Sequence, residues 1–238
     1  MISKIKPHLM EMMVLLGVIL ILTLWTYSRN RLWNTPKELW MDCVNKSPHK
    51  ARPYINLGSA YLNEGIYDKA LEITQKAIQI DPRAAEAYYS LSLIYQKMGN
   101  LHEAITMGKK SLEMDPDLHM AYYSLGVIYF ESGQYEMAEE AFQRFLTLFP
   151  YFPEIHHLLG IVYAAQRKME KALAEFESEL RVNPYHILAH LNLGQIYWYE
   201  FQNRQKAIYH LRVAMMLDPL LPNRTEIRKL LQLLEGLS

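Results

Sequence analysis

The sequence has little that indicates chemistry. Cys43 is the only cysteine among 238 residues, so no intramolecular disulfide can form, and its inward helical position predicts a small buried apolar group. Lysine plus arginine and aspartate plus glutamate number 25 each, so the formal net charge is zero and no basic stripe suggests nucleic acid. No Gly-rich phosphate loop, Gly-x-Ser-x-Gly elbow or catalytic cysteine motif occurs. We therefore predict no enzyme activity and no cofactor.

Prolines, in contrast, recur at a fixed interval. Their spacings are 34, 34, 34, 34 and 35 residues, for Pro48, Pro82, Pro116, Pro150, Pro184 and Pro219. Because proline disfavours helix in the residue before it, each proline predicts the end of a helix. A period of this length is typical of a helix–turn–helix unit that stacks on copies of itself.

Other columns of the repeat agree with the prolines. A small residue in the first helix recurs as Gly58, Ser92, Gly126, Gly160 and Gly194, each preceded by leucine and followed three residues later by tyrosine. The second helix carries Ala70, Ala104, Ala138, Ala172 and Ala207. The small residue allows two helices to approach closely, while leucine, tyrosine and alanine form the seam between them. Glycines predict left-handed turns between the helices: Gly65, Gly99 and Gly133.

Over residues 51–221 these columns closely resemble the tetratricopeptide repeat (TPR). The resemblance implies an all-α, right-handed TPR superhelix of about five repeats plus flanking helices, and the apolar run described below predicts one transmembrane helix before it. The predicted segments are an N-terminal flank (1–8), a membrane helix (9–27), a juxtamembrane segment with a degenerate half-repeat (28–50), five units (51–84, 85–118, 119–152, 153–186 and 187–221) and a C-terminal capping helix (222–238). Two departures, Arg167 in place of glycine and one extra residue in Tyr199–Gln205, are expected in turns.

Both ends of the repeat array are predicted to be capped. Thr35-Pro36 is a helix-start signal, and residues 35–47 are predicted to form a lone second helix with Trp40 and Cys43 facing inward. Residues 225–234 are predicted to form a last helix whose leucines cover the core: Leu230, Leu231 and Leu234. Its basic residues are predicted to face water: Arg224, Arg228 and Lys229.

Two groups of residues could suggest chemistry, and both have simpler interpretations. The histidines of His156-His157 and His186…His190 have metal-ligand spacing, but no acidic residue or cysteine stands at a matching spacing. Two of them occupy a repeat position that elsewhere holds Tyr54, Tyr88 and Tyr122, so we expect these two to stack between helices and predict no metal. The carboxylates of Glu139-Glu140 and Glu175…Glu179 are predicted to be solvated helix faces.

Residues 9–27 are the other strong signal. The uninterrupted apolar run covers residues 12–26, and nineteen helical residues span about 28 Å, close to the hydrocarbon core of a bilayer. Trp25 and Tyr27 lie at one edge, as in an aromatic belt. No small-x-small cleavage site follows the run, and the segment has no polar face, so we predict a single-pass membrane protein. Flanking basic residues are nearly balanced; we favour a cytoplasmic N-terminus and a TPR domain on the non-cytoplasmic side.

The junction between the two parts carries a second resemblance. Residues 29–33, 39–42, 46–48 and 51–58 look like the join between the last membrane helix and the TPR tail of O-mannosyltransferase-type multi-pass proteins. That family's catalytic residues lie in its polytopic part, so none is carried over to this chain. The resemblance implies a detached tail or an accessory subunit.

The predicted binding surface is the concave face of the repeats. In a TPR superhelix, positions 2, 5, 6, 9, 12 and 13 of each first helix line that face. Here these positions predict an aromatic and polar groove with modest charge, formed by Asn56, Tyr89, Tyr123, Phe130, His157, Asn192 and Trp198. Aromatic anchors beside polar groups suit an extended peptide. The alternative is that the tyrosines only stabilise packing.

The predicted function is a membrane-anchored TPR scaffold that mediates protein–protein interaction through this groove, with a protein or extended peptide segment as its partner. Two alternatives stay open, an accessory TPR subunit of a membrane glycosyltransferase and an assembly factor for an envelope complex.

Overall fold

A computed structural model describes residues 7–31 and 33–236 of the protein. In these residues all regular structure is α-helical, which confirms the predicted fold class. The chain divides into two compact units, an N-terminal unit of residues 1–98 and a C-terminal unit of residues 99–238. Most of the predicted flank at residues 1–8 lies outside the described residues.

The helices follow the repeat in order. The N-terminal unit contains α1 (Pro7–Arg31), α2 (Pro36–Lys46), α3 (Ala51–Asn63), α4 (Tyr67–Ile80) and α5 (Ala85–Lys97). The C-terminal unit contains α6 (Leu101–Met114), α7 (His119–Glu131), α8 (Tyr135–Leu148), α9 (Ile155–Ala165), α10 (Met169–Val182), α11 (Ile187–Tyr199), α12 (Arg204–Leu217) and α13 (Arg224–Gly236). From α2 onward, successive helices pack on one another within each unit.

Helix α1 is longer than the predicted membrane segment. Its stretch Met10–Asn30 has 21 residues and a mean hydropathy of 1.9, and none of it is buried against the rest of the protein. It is therefore one helix that is long and apolar enough to cross a membrane. A signal sequence near an N-terminus has the same length and composition.

Helix α2 starts where the sequence indicates. The Thr35 hydroxyl accepts a hydrogen bond from the Glu38 amide at 3.2 Å, and the Glu38 carboxylate accepts one from the Thr35 amide at 3.3 Å. This capping box satisfies two amide groups that the first helical turn leaves without partners. Trp40 and Cys43 are half-buried, and α2 packs on α3.

The prolines terminate helices as predicted. Helices α2, α4, α6, α8, α10 and α12 each end two residues before a proline of the series. After four of them, the aspartate or asparagine before the proline accepts a hydrogen bond from the amide two residues later: Asp81, Asp115, Asn183 and Asp218. Each of these side chains thus stabilises the turn into the next unit.

The turn after α8 differs because Phe149 cannot accept such a bond. Helix α9 begins only at Ile155, and Glu154 before it is left-handed with φ 70°. The carboxylate of Glu179 accepts hydrogen bonds from the amides of Glu154 and His157, both at 3.3 Å. Glu179 is fully buried, so the prediction that it lies on a solvated helix face is wrong. It takes the place of the missing capping residue, because a helix N-terminus favours negative charge.

The turns inside the repeats show how the two departures are accommodated. Gly65, Gly99 and Gly133 have φ between 74° and 80°. Arg167, at the equivalent position, keeps the left-handed conformation with φ 62°. The extra residue of the last repeat lies in the turn between α11 and α12, where Gln202 has φ 51°. Both departures therefore lie in turns, as predicted.

The small residue of the first helix meets a large residue of the second. A Cβ added to Gly126 would lie 2.5 Å from the ring of Phe142, and one added to Gly160 would lie 2.6 Å from the ring of Phe176. Phe142 and Phe176 are almost completely buried. Each ring thus occupies the space that the glycine leaves, which explains the close packing of α7 on α8 and of α9 on α10.

Helix α13 covers the end of the array with a slightly different face from the one predicted. Leu231 and Leu234 are buried as expected, but the third buried residue is Ile227, and Leu230 is half-buried. Arg228 and Lys229 are exposed, as predicted. The expectation for Arg224 is only partly met, since it is half-buried and donates a hydrogen bond to the carbonyl of Pro219.

Candidate functional site

The histidines at the tyrosine position make the contact that tyrosine makes elsewhere. Tyr54 and Tyr88 donate to the carbonyls of Pro48 and Pro82, six residues earlier, at 3.3 and 3.0 Å. Two histidines lie within hydrogen-bonding distance of the corresponding carbonyls through Nε2: His156 with Pro150 at 3.3 Å and His190 with Pro184 at 3.1 Å. They replace tyrosine by joining each first helix to the turn that precedes it.

Two of the predicted groove residues lie in the N-terminal unit. Asn56 is half-buried and lines a depression of about 390 Å³, whose other polar walls come from Arg52, Asp81, Arg83 and Glu86. Tyr89, on α5, is also half-buried. The polar and charged character predicted for the groove applies to the depression around Asn56.

Tyr123 and Phe130 of α7 are largely engaged in packing. The ring of Tyr123 makes edge or tilted contacts with Phe142, Phe145 and Phe152, at centroid distances of 5.5 to 6.2 Å. Burial raises the pKa of the Tyr123 hydroxyl, and the carboxylate of Glu154 raises it further. Phe130 packs on Tyr135 at 5.7 Å.

His157 and Asn192 are brought together by the packing of α9 and α11. Nδ2 of Asn192 lies 3.1 Å from Nε2 of His157. His157 is only 6% exposed, and its ring packs on Phe176 at 5.6 Å and on His186 at 4.6 Å. His157 is therefore a buried support for Asn192 and not a surface contact.

Burial favours the neutral form of three histidines in this region, His157, His190 and His210. Burial, together with the nearby His186, lowers the pKa of His157 to about 4. Burial and then the nearby His190 lower the pKa of His210 to about 4. Burial likewise lowers the pKa of His190, whose Nδ1 lies 2.9 Å from Nδ1 of His210. A neutral imidazole carries a single ring proton. When that proton is on Nδ1 of His157, Nε2 can accept a hydrogen bond from the Asn192 amide at neutral pH.

Asn192 also lines a cavity of about 280 Å³, which we call the α9–α11 cavity. It is formed by Ile161, Ala164, Met169, Phe176, Asn192, Gln195, Ile196, Tyr199 and Glu200. Most of the walls are apolar; the polar groups are two amide side chains, one phenol and one carboxylate. Tyr199 is 62% exposed at its rim. The nearby Trp198 is half-buried against the core.

Asn192 is the one lining residue of this cavity that was among the groove residues predicted from the sequence. Ile161 and Gln195 lie at position 9 of their helices, and Ala164 and Tyr199 lie at positions 12 and 13. The repeat assigns all of them to the same face, so spacing alone could have found them. Met169 and Phe176 come from the second helix, α10, and only the packing of helices shows that they form part of the wall.

Metal binding has no structural support among the residues that the structure describes. No group of three or more histidine, cysteine, aspartate or glutamate side chains in that part of the chain could hold an ion. His156 instead pairs with Glu175 at 2.7 Å, and His190 faces His210.

Comparison with known proteins identifies the repeats. Residues 49–117 and 83–150 match the sequence model of the tetratricopeptide repeat. Tetratricopeptide repeats are therefore confirmed in this chain. No curated protein gives a significant match, and the comparisons do not show the resemblance to O-mannosyltransferase-type proteins.

Solved structures of TPR proteins resemble this chain along most of its length. YrrB, a TPR protein with an unusual peptide-binding site, is 26% identical, with a TM-score of 0.68 over 81% of this chain and 99% of that one. MamA from Desulfovibrio magneticus RS-1 is 22% identical, with a TM-score of 0.67 over 72% of this chain and 97% of that one. PilF from Pseudomonas aeruginosa is 23% identical, with a TM-score of 0.63 over 77% and 88%. The last two support the fold alone.

Proposed function

We propose that this chain is a membrane-anchored scaffold that binds a partner protein through the first-helix face of its repeats. The observation that carries this proposal is the α9–α11 cavity, which lies on that face and combines apolar walls with two amide side chains. Apolar pockets with a few polar groups are typical of peptide-binding surfaces. That YrrB has a peptide-binding site supports the same use of the fold here.

Helix α1 supplies the membrane part of the proposal. Its 21-residue apolar stretch is not buried in the described structure and would be poorly soluble in water. An anchor would raise the local concentration of the bound partner at the bilayer. We further propose that the repeats lie on the non-cytoplasmic side of the membrane. A reporter fused after Ser238 tests this orientation.

Anchoring is tested by extraction of membranes with alkaline carbonate and by sequencing the N-terminus of the mature chain. We expect the chain to stay in the membrane pellet with α1 intact. Release into the supernatant would show that the chain is not anchored, and a mature chain that begins after residue 30 would show that α1 is a cleaved signal sequence.

Partner binding is tested by crosslinking in intact membranes followed by pulldown. Gln195 is exposed and lines the cavity, so Gln195→Trp should fill it without disturbing the core. Gln205→Trp places the same ring on the exposed surface of α12 and serves as the control. A partner captured by the native chain and by the Gln205 variant, but not by the Gln195 variant, supports the proposal. Equal capture by all three would contradict it.

A further inference from the structure

The first helices of the C-terminal unit have an unusual charge distribution. Helices α7, α9 and α11 contain no lysine and no arginine. Carboxylates lie at their ends: Glu131 closes α7, Glu154 precedes α9 and Glu200 follows α11. All three glutamates are exposed. The three helices themselves therefore carry no cation and have exposed carboxylates at their ends, while the exposed Arg167 lies in the turn after α9.

One of these carboxylates is part of the α9–α11 cavity. Glu200 lines it together with Tyr199, at the end of α11. Glu200 forms no ion pair with any residue that the structure describes. The carboxylate of Glu154, before α9, lies near the hydroxyl of Tyr123 and raises its pKa. A cation brought by a ligand could pair with Glu200 at the rim of the cavity.

The floor of the cavity has the size and polarity for one apolar side chain. A volume of about 280 Å³ is small beside the ~300–1,000 Å³ of sites for cofactors and drug-sized ligands. Ile161, Ala164 and Phe176 provide apolar contact on the α9 and α10 sides.

Two amides supply hydrogen bonds at the edge of this floor. Because Asn192 donates its amide hydrogen to His157, its Oδ1 is left to accept, and it has no partner among the described residues. Gln195 is exposed beside it. An extended peptide could donate a backbone N–H to Asn192 and exchange a further bond with Gln195.

We propose that the α9–α11 cavity binds an extended peptide in which a large apolar side chain is flanked by lysine or arginine. The apolar side chain enters between Ile161, Ala164 and Phe176, its backbone bonds to Asn192, and the neighbouring cation pairs with Glu200. This inference rests on the proposed function, and it adds the chemical class of the partner segment.

The test measures fluorescence anisotropy with the full chain in nanodiscs of phosphatidylcholine, a lipid whose headgroup carries no net charge, and with empty nanodiscs as the blank. The probes are three fluorescein-labelled peptides with repeating Lys-Phe-Lys, Gln-Phe-Gln or Glu-Phe-Glu units. We expect the lysine peptide to bind most tightly and the glutamate peptide least. Salt should weaken the binding of the lysine peptide.

Protein variants locate the site and the charge. Glu200→Gln should weaken the lysine peptide about two- to fivefold, as expected for an exposed ion pair, and leave the glutamine peptide unchanged. Glu113→Gln removes an exposed carboxylate of α6 and should have no effect. Gln195→Trp should abolish binding of all three peptides.

The remaining outcomes overturn the inference. If the glutamine or glutamate peptide binds as tightly as the lysine peptide and Gln195→Trp abolishes this binding, the cavity is a peptide site without the proposed charge preference. If the lysine peptide binds equally to the Gln195 variant, its site is elsewhere. If no peptide binds while Gln195→Trp still removes the crosslinked partner, the peptide class is wrong and the scaffold function stands. If partner capture also survives that variant, both proposals fail.

Discussion

Asn192 donates its side-chain amide to Nε2 of His157 across 3.1 Å, between two consecutive first helices. Both residues were predicted to line the peptide groove, but they do different things. Asn192 lines the α9–α11 cavity, whereas His157 is buried and orients Asn192. A charged His157 could not accept this bond, so the arrangement depends on a neutral ring.

Acid should therefore destabilise the fold. The pKa values of His157 and His210 are about 4 in the folded protein, against an ordinary value of 6.5. Below pH 6.5 the unfolded chain binds protons that the folded chain does not, so the free energy of unfolding falls as pH falls towards 4. Below about 4 both states are protonated, and the loss levels off. Urea unfolding followed by circular dichroism at a series of pH values measures this.

A variant identifies the residue responsible for part of that pH dependence. His157→Gln keeps an acceptor for Asn192 but does not titrate, so its unfolding midpoint should change less between pH 6.5 and pH 4. His102→Gln changes an exposed histidine of α6 and should keep the native pH dependence. If the unfolding midpoint of the His157 variant changes with pH as much as that of the native chain, the His157 ring is not the source of the pH dependence.

The left-handed turn at Arg167 should cost stability. A residue with a Cβ is strained there, so Arg167→Gly should raise the free energy of unfolding by about 1 kcal/mol. Gly133 occupies the same turn one repeat earlier with φ 75°, and Gly133→Arg should lower it by a similar amount. Chemical denaturation of the two variants measures both changes. Equal stability of the Arg167 variant and the native chain would contradict the strain argument.

Glu179 should be the carboxylate on which the start of α9 depends. Glu179→Ala leaves the buried amide of His157 and the part-buried amide of Glu154 without this acceptor, which should cost about 1–3 kcal/mol. Glu170→Ala, at an exposed position of the same helix, should cost well under 1 kcal/mol. Hydrogen exchange should show faster exchange at the first turn of α9 in the Glu179 variant alone. Native exchange there would mean that water replaces the carboxylate.

The sizes of the side chains at positions 126 and 142 should depend on each other, because the Phe142 ring fills the space that Gly126 leaves. Gly126→Ala forces a methyl group to within 2.5 Å of the ring, and should destabilise the protein by about 1–3 kcal/mol. Phe142→Leu alone leaves a cavity and also destabilises it. The two changes together should cost less than the sum of the separate costs, as a double-mutant cycle measures. Additive costs would show that the two sites do not compete for space.

Binding experiments should avoid Tyr123 as a test of the groove. Its ring packs on Phe142, Phe145 and Phe152, so Tyr123→Ala would disturb the core as well as the surface. Gln195 and Tyr199 also occupy groove positions of a first helix, and both side chains are exposed. Variants at these two residues separate loss of binding from loss of folding.

The sequence by itself determined the architecture, since the information is local and repeated. A proline cannot continue a helix, and a small residue is needed where helices cross, so each repeat predicts its own ends and its own seam. The positions of Arg167 and of the extra residue in turns followed from the same register. The apolar character of α1 likewise needs only a count of consecutive residues.

Tertiary structure decided which side chains face the surface. Tyr123, Phe130 and His157 share the groove positions with Asn192 and Trp198, but neighbouring rings and the irregular start of α9 bury them to different extents. The burial of Glu179 depends on Phe149, thirty residues earlier, which cannot complete the turn before α9. The carboxylates at the ends of α7, α9 and α11 can be read from the sequence, but only the packing of the helices shows that Glu200 lines the cavity. Such effects join residues far apart in the chain, so the period of the repeat could not determine them.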